Sequence, residues 1–306
     1  MQIVAPLVIL ASLVSSALAD AKCTRPNART QPPTGAIVVD ATGAHPGSFK
    51  TVTEGVAHLP NTTAEHSLFG FPGVYEEQAM VPKLNGPLVV QGYTCNTESY
   101  ADNQVTITHK MAQKDVPTSI KVERNSVTST LGFKTGSVKI YNLNVANPEP
   151  KINQLGQSIA LFVNTTTSGF YGCNVTGYQD TMYANTGRQR YTKSYISGAV
   201  DFIFGQLSKV WFENCDIESI GNGAITANGN LNSSNLSECR RPEGWQSWNG
   251  DNNTANVYFK EFKNSGPAAA TDKRVSFSGQ LDAPVAMTEI LGDDYKSQWF
   301  VDSKFL

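Results

Sequence analysis

Two aspartates, Asp180 and Asp201, lie 21 residues apart, each closing a short glycine-led stretch: Gly177-Tyr178-Gln179-Asp180 and Gly198-Ala199-Val200-Asp201. If the chain repeats with that period, both carboxylates occupy one position on neighbouring turns, separated by roughly the 4.7 to 4.9 Å between paired strands. Two carboxylates that close cannot both ionise freely. One pKa rises and the other falls, so the pair can supply an acid and a base or nucleophile at the same pH. Gln179 precedes the first aspartate, and Gln157 lies 22 residues earlier, near one further turn up the same face. The aromatics Tyr178, Phe202 and Phe204 flank the pair. The same spacing also suits an Asn/Asp ladder at the turns of a solenoid, where short polar side chains bond the backbone locally; spacing does not choose between the two. A serine hydrolase is disfavoured, since no G-x-S-x-G occurs and His45, His58, His66 and His109 all lie in the first third of the chain. Surface or packing roles are expected for these histidines.

The elements that must hold the aspartates show the same period. Phe170, Tyr191 and Phe212 are 21 apart, as are Val175, Ile196 and Ile217, while Gly177 and Gly198 follow one period and Cys173 and Cys215 two. Residues 171–175, 195–196 and 210–215 are short runs rich in aromatic and β-branched residues, each read as one strand. A β-rich unit of this length, punctuated by Gly, Asn and Asp, predicts an all-β parallel solenoid whose coils stack on one another. Residues 88–91, 105–108, 137–145 and 159–163 fit as further buried strands, and 51–58 reads as a helix capping the N-terminal end. The Pro-rich stretch 25–33 reads as a tail. No other segment resembles a linker, so a single domain over 20–306 is expected.

Residues 3–14 are apolar and lead into Ser15-Ser16-Ala17-Leu18-Ala19, a small-residue cleavage pattern, so 1–19 reads as a secretory signal peptide and the protein as extracellular. The run is too short to span a bilayer, and no membrane partner is expected. Of the 306 residues 40% are hydrophobic and 16% charged, against roughly 25% charged for an average domain, which excludes a disordered polyelectrolyte. Twenty-four Lys and Arg face 26 Asp and Glu, a net charge of −2, which leaves no basic surplus for nucleic acid. The five cysteines leave an odd thiol or an intermolecular bond, and the absence of C-x-x-C gives zinc no support. Cys173 and Cys215, two coils or about 10 Å apart by the strand spacing, are expected in a stacked interior position rather than bonded. Sequons at Asn61, Asn164, Asn174, Asn232, Asn235 and Asn252 agree with a eukaryotic secretory route.

The stretches Gly177-Tyr178-Gln179-Asp180-Thr181-Met182-Tyr183 and Ile196-Ser197-Gly198-Ala199-Val200-Asp201-Phe202-Ile203-Phe204-Gly205 resemble the two signature motifs of the pectin methylesterase (pectinesterase) family, in its secreted fungal form. Gly156-Gln157-Ser158-Ile159-Ala160-Leu161 is similar to the preceding family motif, and weaker similarity runs from Ile37-Val38-Val39-Asp40 to Leu291-Gly292. The resemblance implies a right-handed parallel β-helix that removes methyl groups from the galacturonate esters of pectin. It implies Asp201 as nucleophile and Asp180 as the acid that protonates departing methanol and then activates water. Gln157 and Gln179 would donate amide hydrogens to the oxyanion, and Tyr178 and Phe202 would contact sugar rings. Neither metal nor organic cofactor is implied. The expected partner is methylesterified homogalacturonan, bound by a monomer. A β-helical glycosidase or lyase would also use two carboxylates about 5 Å apart, but the motif contexts are those of the esterases.

One departure stands out. The family carries Gly-Arg-Pro-Trp after its Ile-Thr-Ala segment; here Ala224-Ile225-Thr226-Ala227-Asn228-Gly229 leads through a Ser/Asn-rich stretch to Cys239-Arg240-Arg241-Pro242-Glu243-Gly244-Trp245. One or two repeats are expected to be missing, and with them the arginine that pairs with the nucleophile. Arg241 is a candidate counterpart. An inactive or impaired pectin-binding β-helix is the alternative reading.

Overall fold

The computed structural model describes residues 23–150, 155–230, 233–239, 243–247, 254, 258–265 and 269–306. Parallel strands wind through three faces per coil, as a right-handed parallel β-helix, with the crossover hand that parallel strands adopt. The first face runs through Ala79–Val81, Leu131–Phe133, the leading part of Leu161–Tyr171, the leading part of Met182–Thr192, Ile203–Gly205 and Ala224–Asn230. The second begins at Ile37–Val39 and continues through His66–Gly70, Leu88–Gly92 and Ser137–Tyr141 to the trailing parts of the two long strands and Leu207–Glu213. The third is the six-stranded sheet from Gly73–Glu76 to Asp216–Ser219.

In-register stacking puts like on like inside. Phe170 pairs with Tyr191 and Tyr191 with Phe212, their rings stacked with centroids 4.6 and 5.1 Å apart. On the third face Tyr75, Ile107, Val145, Val175, Ile196 and Ile217 form one column. These columns are the core. At the N-terminal end the helix Val52–Ala57 closes them, its first turn fixed by a capping box in which Glu54 N–H donates to Thr51 Oγ1 at 3.0 Å. Gly55 lets it approach, since a Cβ there would lie 2.6 Å from Val39 Cγ1.

Three of the expected strands are broken in the middle. Residues 137–145, 171–175 and 210–215 each turn a corner between the second and third faces, at Asn142, Gly172 and Asn214, whose φ values are 53°, 60° and 51°. A single left-handed residue redirects the chain by one face, and Asn and Gly adopt that conformation at least cost. The 21-residue period holds from Leu161 through Met182 to Ile203. Earlier coils carry inserted loops, so that Leu131 pairs with Leu161 and Ala79 with Leu131.

The stretch 25–33 is no free tail. Cys23 is disulfide-bonded to Cys95, and Arg29 exchanges backbone hydrogen bonds with Thr94 at 2.9 and 3.0 Å. Cys173 and Cys215 are free thiols, as expected. The C-terminal residues pack outside the second face: Tyr171 Oη donates to Phe300 O at 2.6 Å, and Tyr141 Oη to Asp302 Oδ2 at 2.8 Å. The signal segment 1–19 lies outside the described residues.

The aromatic column gives a graded prediction. Phe170→Ala, in mid-stack and fully buried, should cost about 3–5 kcal/mol of unfolding free energy. Phe212→Ala, at the half-buried end, should cost less than half as much; equal losses in denaturant titrations would contradict the end-of-stack assignment.

Candidate active site

Asp180 and Asp201 sit at the corner between the third and first faces, one coil apart. Asp180 N–H donates to Val200 O at 2.9 Å, Asp201 N–H to Ala224 O at 2.7 Å, and Gln179 pairs with Val200 across a parallel bridge. Both aspartates are left-handed, with φ of 61° and 49°. Asp tolerates that conformation better than most residues, and the strands on either side enforce it. Such locally costly backbone concentrates where function requires it.

The repeated glycines explain the close stacking beneath. A Cβ on Gly177 would lie 2.7 Å from Thr181 Oγ1, and one on Gly198 only 2.2 Å from Phe202 Cβ. Tyr178 is half-buried, its hydroxyl over the bare backbone of Gly221, where a Cβ would come within 2.6 Å.

Gln179 hydrogen-bonds the Asp180 carboxyl. Gln157 stands one coil earlier: the residue after it, Ser158, donates its N–H to Gln179 O at 3.2 Å. The Gln157 Oε1 atom is buried with no hydrogen-bond partner, which leaves this amide uncommitted to the fold. Four of the expected site residues thus converge: Asp180, Asp201, Gln179 and Gln157.

Phe202 does not join them. It has no exposed surface and belongs to the core, so a sugar ring cannot reach it. Asp201 is the reason, because a left-handed residue interrupts the in/out alternation and turns both Phe202 and Ile203 inward. The outward aromatics are Phe204 and Tyr183, stacked at 4.4 Å, with Phe162 5.1 Å further along. This ladder has the 21-residue spacing in the sequence, and its alternation with Leu161, Met182 and Ile203 is the signal that could have found it.

Burial pushes the Asp180 carboxyl well above the usual carboxylate range, and the neighbouring Asp201 charge pushes it further. Burial alone raises Asp201, to about 6. Near neutral pH the pair therefore holds one proton on Asp180 and one negative charge on Asp201. That is an acid beside a nucleophile or base. Among the described residues no group of three His, Cys, Asp or Glu side chains converges as a metal cage. Arg241 lies outside the described residues.

Comparison with known proteins decides the family. The Pectinesterase family model matches residues 36–233 and 230–303. The chain belongs to the pectinesterase family. A pectinesterase of Aspergillus aculeatus is 36% identical over 324 aligned positions, covering 90% of this chain and 94% of the relative. One from Aspergillus niger is 33% identical, covering 97% and 98%. The crystal structure of the Aspergillus niger pectin methylesterase in deglycosylated form superposes with a TM-score of 0.77 at 29% identity, covering 91% of this chain and 100% of that one. The A. aculeatus alignment is longer than this 306-residue chain, so that pectinesterase carries residues with no counterpart here. The two pieces of the family match overlap at 230–233.

The raised carboxyl pKa values make the site a stability cost with a definite pH window. A carboxyl whose folded pKa exceeds its unfolded value of about 4 costs nothing below that pH and destabilises increasingly as pH rises toward the folded value. Asp201→Asn keeps a residue suited to the left-handed backbone and removes the charge. It should raise Tm at pH 7.5 by about 2–4 °C and leave it unchanged at pH 4, by differential scanning calorimetry; an equal rise at both pH values would show that charge is not the cause.

Proposed function

We propose that this pectinesterase-family enzyme is a secreted aspartyl esterase that hydrolyses the methyl esters of galacturonate in plant cell-wall pectin. The observation that carries this reading is the buried pair stacked one coil apart, with Asp180 holding a proton where Asp201 is ionised. Asp201 attacks the ester carbonyl; as the tetrahedral intermediate collapses, the methoxy oxygen takes the Asp180 proton and leaves as methanol. The remaining acyl link between Asp201 and the galacturonate carbonyl is attacked by water, whose proton Asp180 now accepts, which restores both groups. Gln157 and Gln179 supply amide hydrogens to the oxyanion, a role that contributes a few kcal/mol at each step. Tyr178 borders the sugar, and Phe204 with Tyr183 offers the outward aromatic wall. The small net charge favours a neutral, methylated stretch over an already de-esterified one. We further propose that residues 1–19 are removed on export, that the sequons carry glycan, and that the enzyme acts as a monomer.

A second reading has its own support. The sequence holds no Gly-Arg-Pro-Trp, and among the described residues burial is the cause that raises the Asp201 carboxyl, which fits a protein that binds pectin with little turnover. Methanol release separates the two. Methylated pectin should yield methanol at a rate that rises with pH through about 6, as Asp201 ionises, and Asp201→Asn should abolish it. Gln157→Ala should lower kcat by about 10²-fold. Wild-type release no faster than the blank would favour the binding protein, and full turnover by Asp201→Asn would remove it as nucleophile.

A further inference from the structure

At the corner between the second and third faces, on the first coils, lies an open cleft of about 720 Å³. It is lined by Thr30, Gln31, His45, Phe71, Pro72 and Tyr93. Phe71 directly follows the strand His66–Gly70 and Tyr93 follows Leu88–Gly92, whereas the aspartates sit at the corner between the third and first faces, on later coils. The cleft is separate from the catalytic pair.

Its construction is more than loop geometry. The His45 ring lies flat on Phe71, with centroids 3.4 Å apart and planes 9° from parallel. His45 Nδ1 is 2.8 Å from Oδ2 of Asp40, which is buried and also accepts from Thr42 N–H, Thr42 Oγ1 and His45 N–H. An imidazole that donates Nδ1–H to a carboxylate presents Nε2 as an acceptor when neutral. The chain that carries Thr30 and Gln31 is pinned beside it by the Cys23–Cys95 disulfide and the Arg29–Thr94 hydrogen bonds. A flat ring, a directed acceptor, a hydroxyl and an amide on a fixed wall match a pyranose, whose apolar face stacks while its hydroxyls bond at the edge.

We infer that this cleft is an accessory saccharide site that holds a second stretch of the galacturonan polymer. The ligand class rests on the pectinesterase reading; the site itself does not. Two stretches of one polymer held at once raise the effective concentration of ester at the catalytic corner without changing the chemistry there.

The test compares His45→Phe, which keeps the ring on Phe71 and loses both nitrogens, with Gln31→Ala, which leaves the Asp40 network intact. Each full-length variant is assayed for methanol release from methylated trigalacturonate and from methylated pectin, and for Kd on pectin by calorimetry. The expected result is an unchanged kcat/KM on the trimer, a KM on pectin raised about 5-fold, and a pectin Kd weakened by a similar factor, in both variants. Pectin affinity within twofold of wild type in both would overturn the site. So would an equal loss on trimer and polymer, which would place the effect in folding or the catalytic cleft. If wild type releases no methanol at all, the esterase reading fails, and the Kd comparison still decides this one.

Discussion

The repeat in register, one coil directly on the next, is the constraint from which the rest follows. Each coil's backbone groups are satisfied by the coils above and below, so a side chain's neighbours are fixed by its phase in the coil. Phe170 stacks on Tyr191 and Tyr191 on Phe212, while Val145, Val175 and Ile196 follow one another on the third face. Two aspartates at one phase are forced together for the same reason. Nothing in their own chemistry favours the contact. The ladder of strands imposes it, and the left-handed corners at both residues hold the carboxylates where the chain changes face.

That imposed contact explains the electrostatics. In water each carboxyl would ionise near pH 4; here burial raises both, and the Asp201 charge raises Asp180 further, so that both shift upward and Asp180 keeps its proton longer. The fold carries the cost of the buried acid pair because the columns of hydrophobic side chains on either side stabilise the coil independently of the corner. Stability is drawn from the interior, and reactivity from the edge. The glycines at 177 and 198 belong to this division, since they let Thr181 and Phe202 pass beneath the acids without displacing them.

The pairing of the aspartates was legible in the sequence because the period is strict over the turns that carry them, whereas Gln157 and Gln179, 22 residues apart, took their roles from the family motifs. The coils before Leu131 were harder to place. Inserted loops there separate paired strands by unequal lengths, which removes the periodicity while leaving the register intact. Corners were hidden for a different reason: a single left-handed residue such as Asn142 interrupts neither hydrophobicity nor β propensity, so two short strands read as one. The same effect misplaced Phe202. Its place beside the aspartate in the motif implies an outward ring, whereas the left-handed Asp201 turns it inward. The Cys23–Cys95 bond joins a segment outside the repeat to a loop at its edge, so spacing held no information about it.

The later coils show how near to the carboxylate pair the parallel winding changes. The first face ends its parallel run at Ala224–Asn230, which then pairs antiparallel with Ser233–Cys239, and that strand with Trp245–Ser247. A hairpin can extend one face of a solenoid but cannot replace a coil, which must cover all three. Among the described residues the third face ends at Asp216–Ser219, and Ile217, at the same phase as the fully buried Ile196, is 41% exposed. Asp201 stands on the last coil that the described residues complete on all three faces, and its N–H donates to Ala224 O, in the first residue of the last parallel strand of the first face among the described residues. Loss of one more strand would free that N–H and with it the left-handed corner. The backbone that holds Asp201 thus depends on Ala224–Asn230, the last described strand of the first face to pair in parallel, which is why the carboxylate pair keeps its geometry up to that point.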